Sequence, residues 1–111
     1  MTDDETRQAV LDLWTYDQAT YGRPYWIPVL RAACRQAKIA ENYGGRFAGS
    51  WVLSEMARET GEPWRPGLRV LVTFGLLQPD GPATRGGRRR YYRMANRELI
   101  EKVLRRTGQP A

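Results

Sequence analysis

Residues 64–94, WRPGLRVLVTFGLLQPDGPATRGGRRRYYRM, change from a helical to an extended pattern, and this change decides the fold. Residues 65–74 have apolar side chains at helical spacing and predict a short helix. The stretch Leu76-Leu77-Gln78 then predicts a strand, and residues 79–87 with their prolines and glycines predict a flexible tip. The alternation along 88–94 predicts a returning strand. The stretch therefore predicts a helix followed by a β-hairpin.

Two stripes of different character run along the predicted helix. The inward stripe is apolar and consists of Leu68, Leu71 and Val72. The outward stripe, at spacings of four residues, consists of Arg65, Arg69 and Thr73. Arginine can pair bidentately with guanine, and threonine can contact a thymine methyl group or a phosphate. The helix is therefore a candidate for reading the major groove of DNA, and an ordinary solvated face is the alternative.

A second helix precedes this one, and a basic tip follows it. Ser50 is predicted to cap a helix that runs to about Thr60, and about five residues with Gly61 and Pro63 join it to the next helix. This layout is typical of a helix-turn-helix. The arginines around the Gly-Gly tip are Arg85, Arg88, Arg89 and Arg90. Because like charges repel, their clustering favours a contact with phosphates or with the minor groove, and a solubilising loop is the alternative.

The segment from Ser50 to Met94 resembles a winged helix-turn-helix. Its helix with WRPGLRVLVTFGLLQ and its hairpin with RGGRRRYYRM are similar to the recognition helix and wing of bacterial winged-helix regulators, those of the PadR type among them. The resemblance implies a major-groove position for Arg65, Arg69 and Thr73. It implies that the tip arginines contact the DNA backbone or the minor groove.

Further elements are predicted on both sides of this segment. Thr2 and Glu5 form a capping box for a helix from Asp3 to Trp14, and a helix with one apolar stripe covers 28–41. Between them, residues 15–26 predict an aromatic connector that either packs on the core or contacts a partner. Residues 46–48 can form a very short strand. Asn96 is predicted to cap a last helix that ends at about Arg106.

The whole chain is therefore expected to be mainly α with a small β-hairpin (α+β), a winged helix-turn-helix with extra N- and C-terminal helices. The expected parts are an N-terminal helix with connector (1–26), a winged-helix core (27–95) and a C-terminal helix (96–111). The candidate elements for a homodimer contact are the N-terminal helix and the C-terminal helix. The apolar face of the C-terminal helix either forms such a contact or covers the core, and it consists of Leu99, Ile100, Val103 and Leu104.

Composition excludes several classes of function. The 111 residues contain no histidine and one cysteine, Cys34, so a histidine-based catalytic or metal site and an internal disulfide are not expected. Cys34 lies on an apolar stripe and is expected to be buried. No cofactor, no membrane span and no enzymatic activity are predicted, and the acidic start of the chain favours a cytoplasmic location.

Charge is segregated along the chain. Residues 1–64 carry seven basic and nine acidic side chains, whereas residues 65–111 carry eleven basic and three acidic ones. This separation favours a polyanionic partner. We expect a duplex DNA-binding regulator that acts as a homodimer. The alternatives are an accessory or architectural DNA-binding protein of a mobile element or phage, and a winged-helix module for protein interaction.

Overall fold

The computed structural model describes residues 2–22, 25–81 and 90–106, and within these ranges the chain is mainly helical with a small antiparallel sheet. The expected coarse class, mainly α with some β, is confirmed. In chain order the elements are α1 (Asp3–Tyr21), α2 (Trp26–Ala40), a 3₁₀ turn (Glu41–Tyr43), β1 (Phe47–Ala48), α3 (Gly49–Thr60), α4 (Pro66–Thr73), β2 (Leu77–Pro79), β3 (Tyr91–Met94) and α5 (Arg97–Arg106).

Helix α1 is longer than its pattern predicts. Its start is as expected, because the hydroxyl of Thr2 accepts a hydrogen bond from the amide of Glu5 at 3.1 Å. Its predicted end at Trp14 is wrong, since the helix continues to Tyr21 and stops at Gly22, which has a positive φ of 71°. No helix-breaking residue occurs before Gly22, so most of the predicted aromatic connector is helical.

Helix α2 begins at Trp26, two residues before the expected start, and α1 supplies its cap. Tyr25, the residue before the helix, makes no capping hydrogen bond with its own side chain. The carboxylate of Asp17 instead accepts a hydrogen bond from the amide of Trp26, with the oxygen 2.6 Å from the nitrogen. Asp17 is fully buried, and its hydrogen bond ties α1 to the first residue of α2.

Ser50 does not cap α3, which corrects the expectation from the sequence. The helix begins one residue earlier, at Gly49, and its preceding residue Ala48 makes no side-chain cap. The amide of Gly49 donates to the carbonyl of Arg90 at 2.9 Å, so the chain beside β3 takes the place of a capping side chain. Ser50 is exposed, and its carbonyl accepts from the hydroxyl of Ser54 at 3.0 Å.

The three strands form one antiparallel sheet in the order β1-β3-β2. Phe47 pairs with Tyr92 and Leu77 pairs with Met94, so the expected short strand at 46–48 joins the hairpin as its third strand. Phe47 and Tyr92 are both buried, which places the sheet's inner face against the helices.

Helix α5 covers the core. The side chain of Asn96 caps it as predicted, accepting from the amide of Leu99 at 3.2 Å. Ile100, Val103 and Leu104 are buried and belong to the same apolar cluster as α1 and α2, with Leu99 packed at its edge. Two roles were expected for this apolar face, covering the core and forming a homodimer contact, and the structure shows that it covers the core.

Candidate functional site

Helix α4 lies close against α2 because Gly67 has no side chain. A Cβ at this position would lie 2.7 Å from Cγ2 of Val29 and 2.9 Å from Cε3 of Trp64. Leu71, one turn further along, is fully buried. The inward stripe of α4 is therefore anchored as predicted, with Leu68 and Val72 half-buried at its border.

A second glycine brings α4, α3 and the sheet together. A Cβ on Gly49 would lie 2.8 Å from Cδ1 of Leu68 and 2.9 Å from Cε2 of Tyr92. Because real Cβ atoms essentially never come so close to other atoms, only glycine allows the start of α3 to sit between α4 and β3. This junction sets the separation between α4 and the base of the hairpin.

The aromatic residues of the expected connector hold both ends of α4. Tyr16 lies against Phe74 at the end of α4, with ring centroids 5.9 Å apart. Before α4, Tyr21 meets Trp64 edge-on at 5.2 Å and Tyr25 stacks on Trp64 at 5.6 Å. Such ring pairs add to the stabilisation that area burial provides. These rings therefore contact the rest of the chain, while Tyr16 and Tyr21 remain 39% and 38% exposed. Of the expected connector's aromatic residues, Trp26 is fully buried in the core.

The predicted outward stripe of α4 is exposed along its length. Arg65, Arg69 and Thr73 are all exposed side chains. The hydroxyl of Thr73 donates to the carbonyl of Arg69 at 2.9 Å. Arg65 immediately precedes the helix, and Arg69 lies one turn further along.

Two residues of the stripe share one groove of about 680 Å³ with the base of the hairpin, whereas Thr73 does not line it. Arg65 and Arg69 line the groove on the α4 side, and Arg90, the residue before β3, lines it on the hairpin side. Tyr16 and Tyr21 border the groove on the α1 side, and Pro79 and Tyr92 border it on the sheet side. Arginines that are far apart in the sequence therefore line one groove.

Within the described ranges, Arg65, Arg69 and Arg90 form no ion pair with the protein's own carboxylates, whereas most other arginines do. Arg31 and Arg35, for example, both pair with Glu59 between α2 and α3. The arginines paired in the same way are Arg7, Arg46, Arg58, Arg93 and Arg97. The groove therefore presents positive charge that is available to an outside anion.

A smaller groove of about 250 Å³ runs between α3 and the start of α4. Ser50 and Ser54 line it from α3, and Arg65 lines it from the other side. Ser50 thus reaches the same region as the predicted α4 residues, although it is not a helix cap. The remaining predicted site residues, Arg85, Arg88 and Arg89, lie outside the described residues.

Two residues that position the site, Gly49 and Gly67, were not identified from the sequence. Gly67 lies inside a predicted helical pattern, where glycine costs about 1 kcal/mol relative to alanine, whereas Gly49 comes before the helix that the sequence predicts. A glycine retained in a helix despite that cost is a usable indication of close packing. The partner atoms on Val29 and Tyr92 become visible only in the folded chain.

The described residues offer little for other chemistry. No group of three or more His, Cys, Asp and Glu side chains that could hold a metal ion occurs among them. Burial raises the pKa of the Cys34 thiol to about 12, so this cysteine is a small core residue as expected. None of the helices in the described part of the chain is long and apolar enough to cross a bilayer.

Comparison with known proteins gives no match to a family model, to a curated protein or to a solved structure.

Proposed function

We propose that this chain is a sequence-specific duplex DNA-binding protein of the winged helix-turn-helix type, which regulates transcription by occupying its site. The observation that carries the proposal is the convergence on one groove of Arg65, Arg69 and Arg90, which have no carboxylate partner among the described residues. Two helices joined by a five-residue turn, followed by a hairpin, are the arrangement that this proposal requires.

In the proposed complex, α4 lies in the major groove. Arg65 and Arg69 pair with guanine O6 and N7, and the methyl group of Thr73 contacts a thymine. Each good bidentate pair discriminates against a wrong base by about 1–3 kcal/mol. The ring contacts of Tyr21 with Trp64 and of Tyr16 with Phe74 hold α4 at its two ends, which reduces the entropy lost on binding.

The hairpin and α3 contact the sugar-phosphate backbone in the same proposal. Arg90, together with the tip arginines Arg85, Arg88 and Arg89, neutralises phosphates or enters the minor groove. Ser50, at the exposed start of α3, donates its hydroxyl to a phosphate. These contacts supply affinity and register, whereas α4 supplies specificity.

A salt titration of duplex binding tests the electrostatic part. We expect a steep fall in affinity with salt, and the log–log slope should become shallower by about 0.9 for each phosphate that a variant no longer neutralises. Arg88→Ala and Arg89→Ala should each produce this change, while Arg105→Ala, an exposed arginine of α5 that does not line the groove, should not. A weak response that is independent of salt would instead favour a protein-interaction module.

Selection of bound sequences from a random duplex pool tests specificity. A single palindromic consensus, read by a homodimer at two half-sites, is the result expected of a regulator. Arg69→Ala should relax the preference at one position of each half-site. Tight binding without any consensus would favour an architectural protein and would refute sequence-specific regulation.

A further inference from the structure

Two exposed tyrosines in the last two turns of α1 lie beside α4. Tyr16 and Tyr21 line the same groove of about 680 Å³ as Arg65 and Arg69. Their rings meet edge-on with centroids 6.3 Å apart, and we call these two residues the tyrosine pair. The pair therefore shares its groove with the two arginines of α4.

The rings of the tyrosine pair are held by the residues on either side of α4 in the sequence. Tyr16 packs against Phe74, and Tyr21 packs against Trp64. A phenylalanine ring could make the same two contacts. The packing therefore uses the rings, and the hydroxyl groups are left for polar partners.

The hydroxyls of the tyrosine pair can act as a hydrogen-bond donor. Partial burial, the nearby phenol of Tyr16 and a hydrogen bond with that phenol raise the pKa of Tyr21, which therefore keeps its proton at neutral pH. Each phenol has one O–H to donate. When two phenols are hydrogen-bonded to each other, one O–H is used between them and the other is left for an outside acceptor. The pair thus offers a donor, without a charge, to a ligand in the groove.

The tyrosine pair and the sheet lie on opposite flanks of α4. Leu71 is fully buried and marks the inward line of this helix. Leu68, three residues earlier, is on the sheet side, because it and Tyr92 both pack at the start of α3. Phe74, three residues later, contacts the tyrosine pair. Positions three before and three after a helical residue lie about 60° to either side of it, so α4 has the hairpin on one flank and the pair on the other.

A helix in the major groove of DNA lies between two phosphate backbones. The groove is about 12 Å wide, and an α-helix with its side chains is about 10–12 Å across. Both flanks of the helix are therefore close to phosphates. In the proposed complex, Arg90 reaches the backbone on the sheet side, and the second backbone lies on the side of the tyrosine pair.

We propose that the tyrosine pair donates a hydrogen bond to a phosphate of this second backbone, across the major groove from Arg90. Tyrosine hydroxyls are among the groups that bind DNA phosphates, and such contacts fix the register of a protein without reading bases. The contact rests on the proposed function, because it requires α4 in the major groove. It gives the end of α1 a direct part in binding DNA.

The double variant Tyr16→Phe, Tyr21→Phe tests the contact, because it keeps both rings and removes both hydroxyls. Its affinity for the duplex selected from the random pool should fall by about tenfold or more, since a hydrogen bond to a charged group is lost. The log–log salt slope and the preferred sequence should stay the same, because the hydroxyls carry no charge and read no base. Arg90→Ala should instead make the slope shallower.

Tyr43→Phe is the matched control, because Tyr43 is 78% exposed and does not line the α4 groove. It should leave the affinity unchanged. An affinity that the double variant retains, or one that Tyr43→Phe lowers as much, would overturn the proposal. A wild type that binds no duplex would refute the proposed function itself, and this contact with it.

Duplexes in which single phosphates are replaced by neutral methylphosphonates locate the contact. One replacement on the backbone opposite Arg90 should weaken binding of the wild type and of Arg90→Ala by about tenfold, and should have little effect on the double variant. Each ratio compares two duplexes on one protein, so a loss of folded protein cancels from it. Equal sensitivity of the wild type and the double variant at every phosphate would overturn the proposal.

Discussion

Replacement of Asp17 by asparagine should change how stability depends on pH. Asp17 is fully buried, and burial raises its pKa to about 6 despite the hydrogen bond from the amide of Trp26. In the unfolded chain an aspartate titrates near 3.9. The folded state therefore keeps this proton over a pH range in which the unfolded state has released it.

The sign follows from proton linkage. Because the folded state binds more protons between about pH 4 and pH 6, the stabilisation from protonated Asp17 is lost as the pH rises through this range. A difference of about two pKa units at 1.36 kcal/mol each gives about 3 kcal/mol. Asparagine resembles the protonated acid and does not titrate. Asp17→Asn should thus match the wild type near pH 4 and exceed it by about 3 kcal/mol at pH 7.

Urea unfolding followed by circular dichroism at several pH values between 4 and 8 provides the free energies. The difference between variant and wild type is the relevant quantity, since all other carboxylates are common to the two proteins. Asp12→Asn, which removes an exposed carboxylate from the same helix, controls for the change in net charge. The reasoning would be refuted if the difference in free energy of unfolding stayed constant with pH. It would also be refuted if the asparagine variant became less stable relative to the wild type as the pH rose.

Three further predictions concern packing, capping and the thiol. Gly67→Ala should destabilise the chain by up to about 2 kcal/mol in urea unfolding. Overpacking costs about 1–3 kcal/mol, and the better helix propensity of alanine offsets about 1 kcal/mol of that cost. A stabilised variant would contradict the close contact with Val29. Asn96→Ala should cost about 1 kcal/mol through loss of the α5 cap, and an unchanged unfolding midpoint would contradict that role. Cys34 should react with iodoacetamide only after unfolding, so that rapid alkylation of the native chain would contradict its burial.

The helical elements could be predicted because their patterns are local. The apolar stripe of α4, the cap at Thr2 and the cap at Asn96 all involve residues within one or two turns of each other. The coarse class, mainly helical with a small sheet, follows from these patterns and from the change of period after α4.

The failures involve contacts between residues distant in sequence. The cap of α2 comes from Asp17 and that of α3 from the carbonyl of Arg90, so neither start carries a local signature. Ser50 has the right residue type for a cap, but the tertiary hydrogen bond at Gly49 makes that cap unnecessary. The connector predicted at Tyr16 and Tyr21 is a failure of another kind, because no helix-breaking residue precedes Gly22 and only the ring partners of these tyrosines, Phe74 and Trp64, are distant in sequence.

The candidate site is predictable in its residue types and only partly in its geometry. The spacing of Arg65 and Arg69 predicts a shared helical face, and both are exposed as expected. Their proximity to Arg90 depends on the junction at Gly49, which no spacing rule reveals.

Mapping of amide chemical shifts on addition of a duplex is the most direct test of the central claim that α4 and the base of the hairpin form one DNA-binding face. The account predicts that the largest changes fall on residues 65–73 and on Arg90 to Tyr92, with a second group at the start of α3. Changes confined to α5 or to the 3₁₀ turn at Glu41–Tyr43, with α4 unaffected, would contradict it.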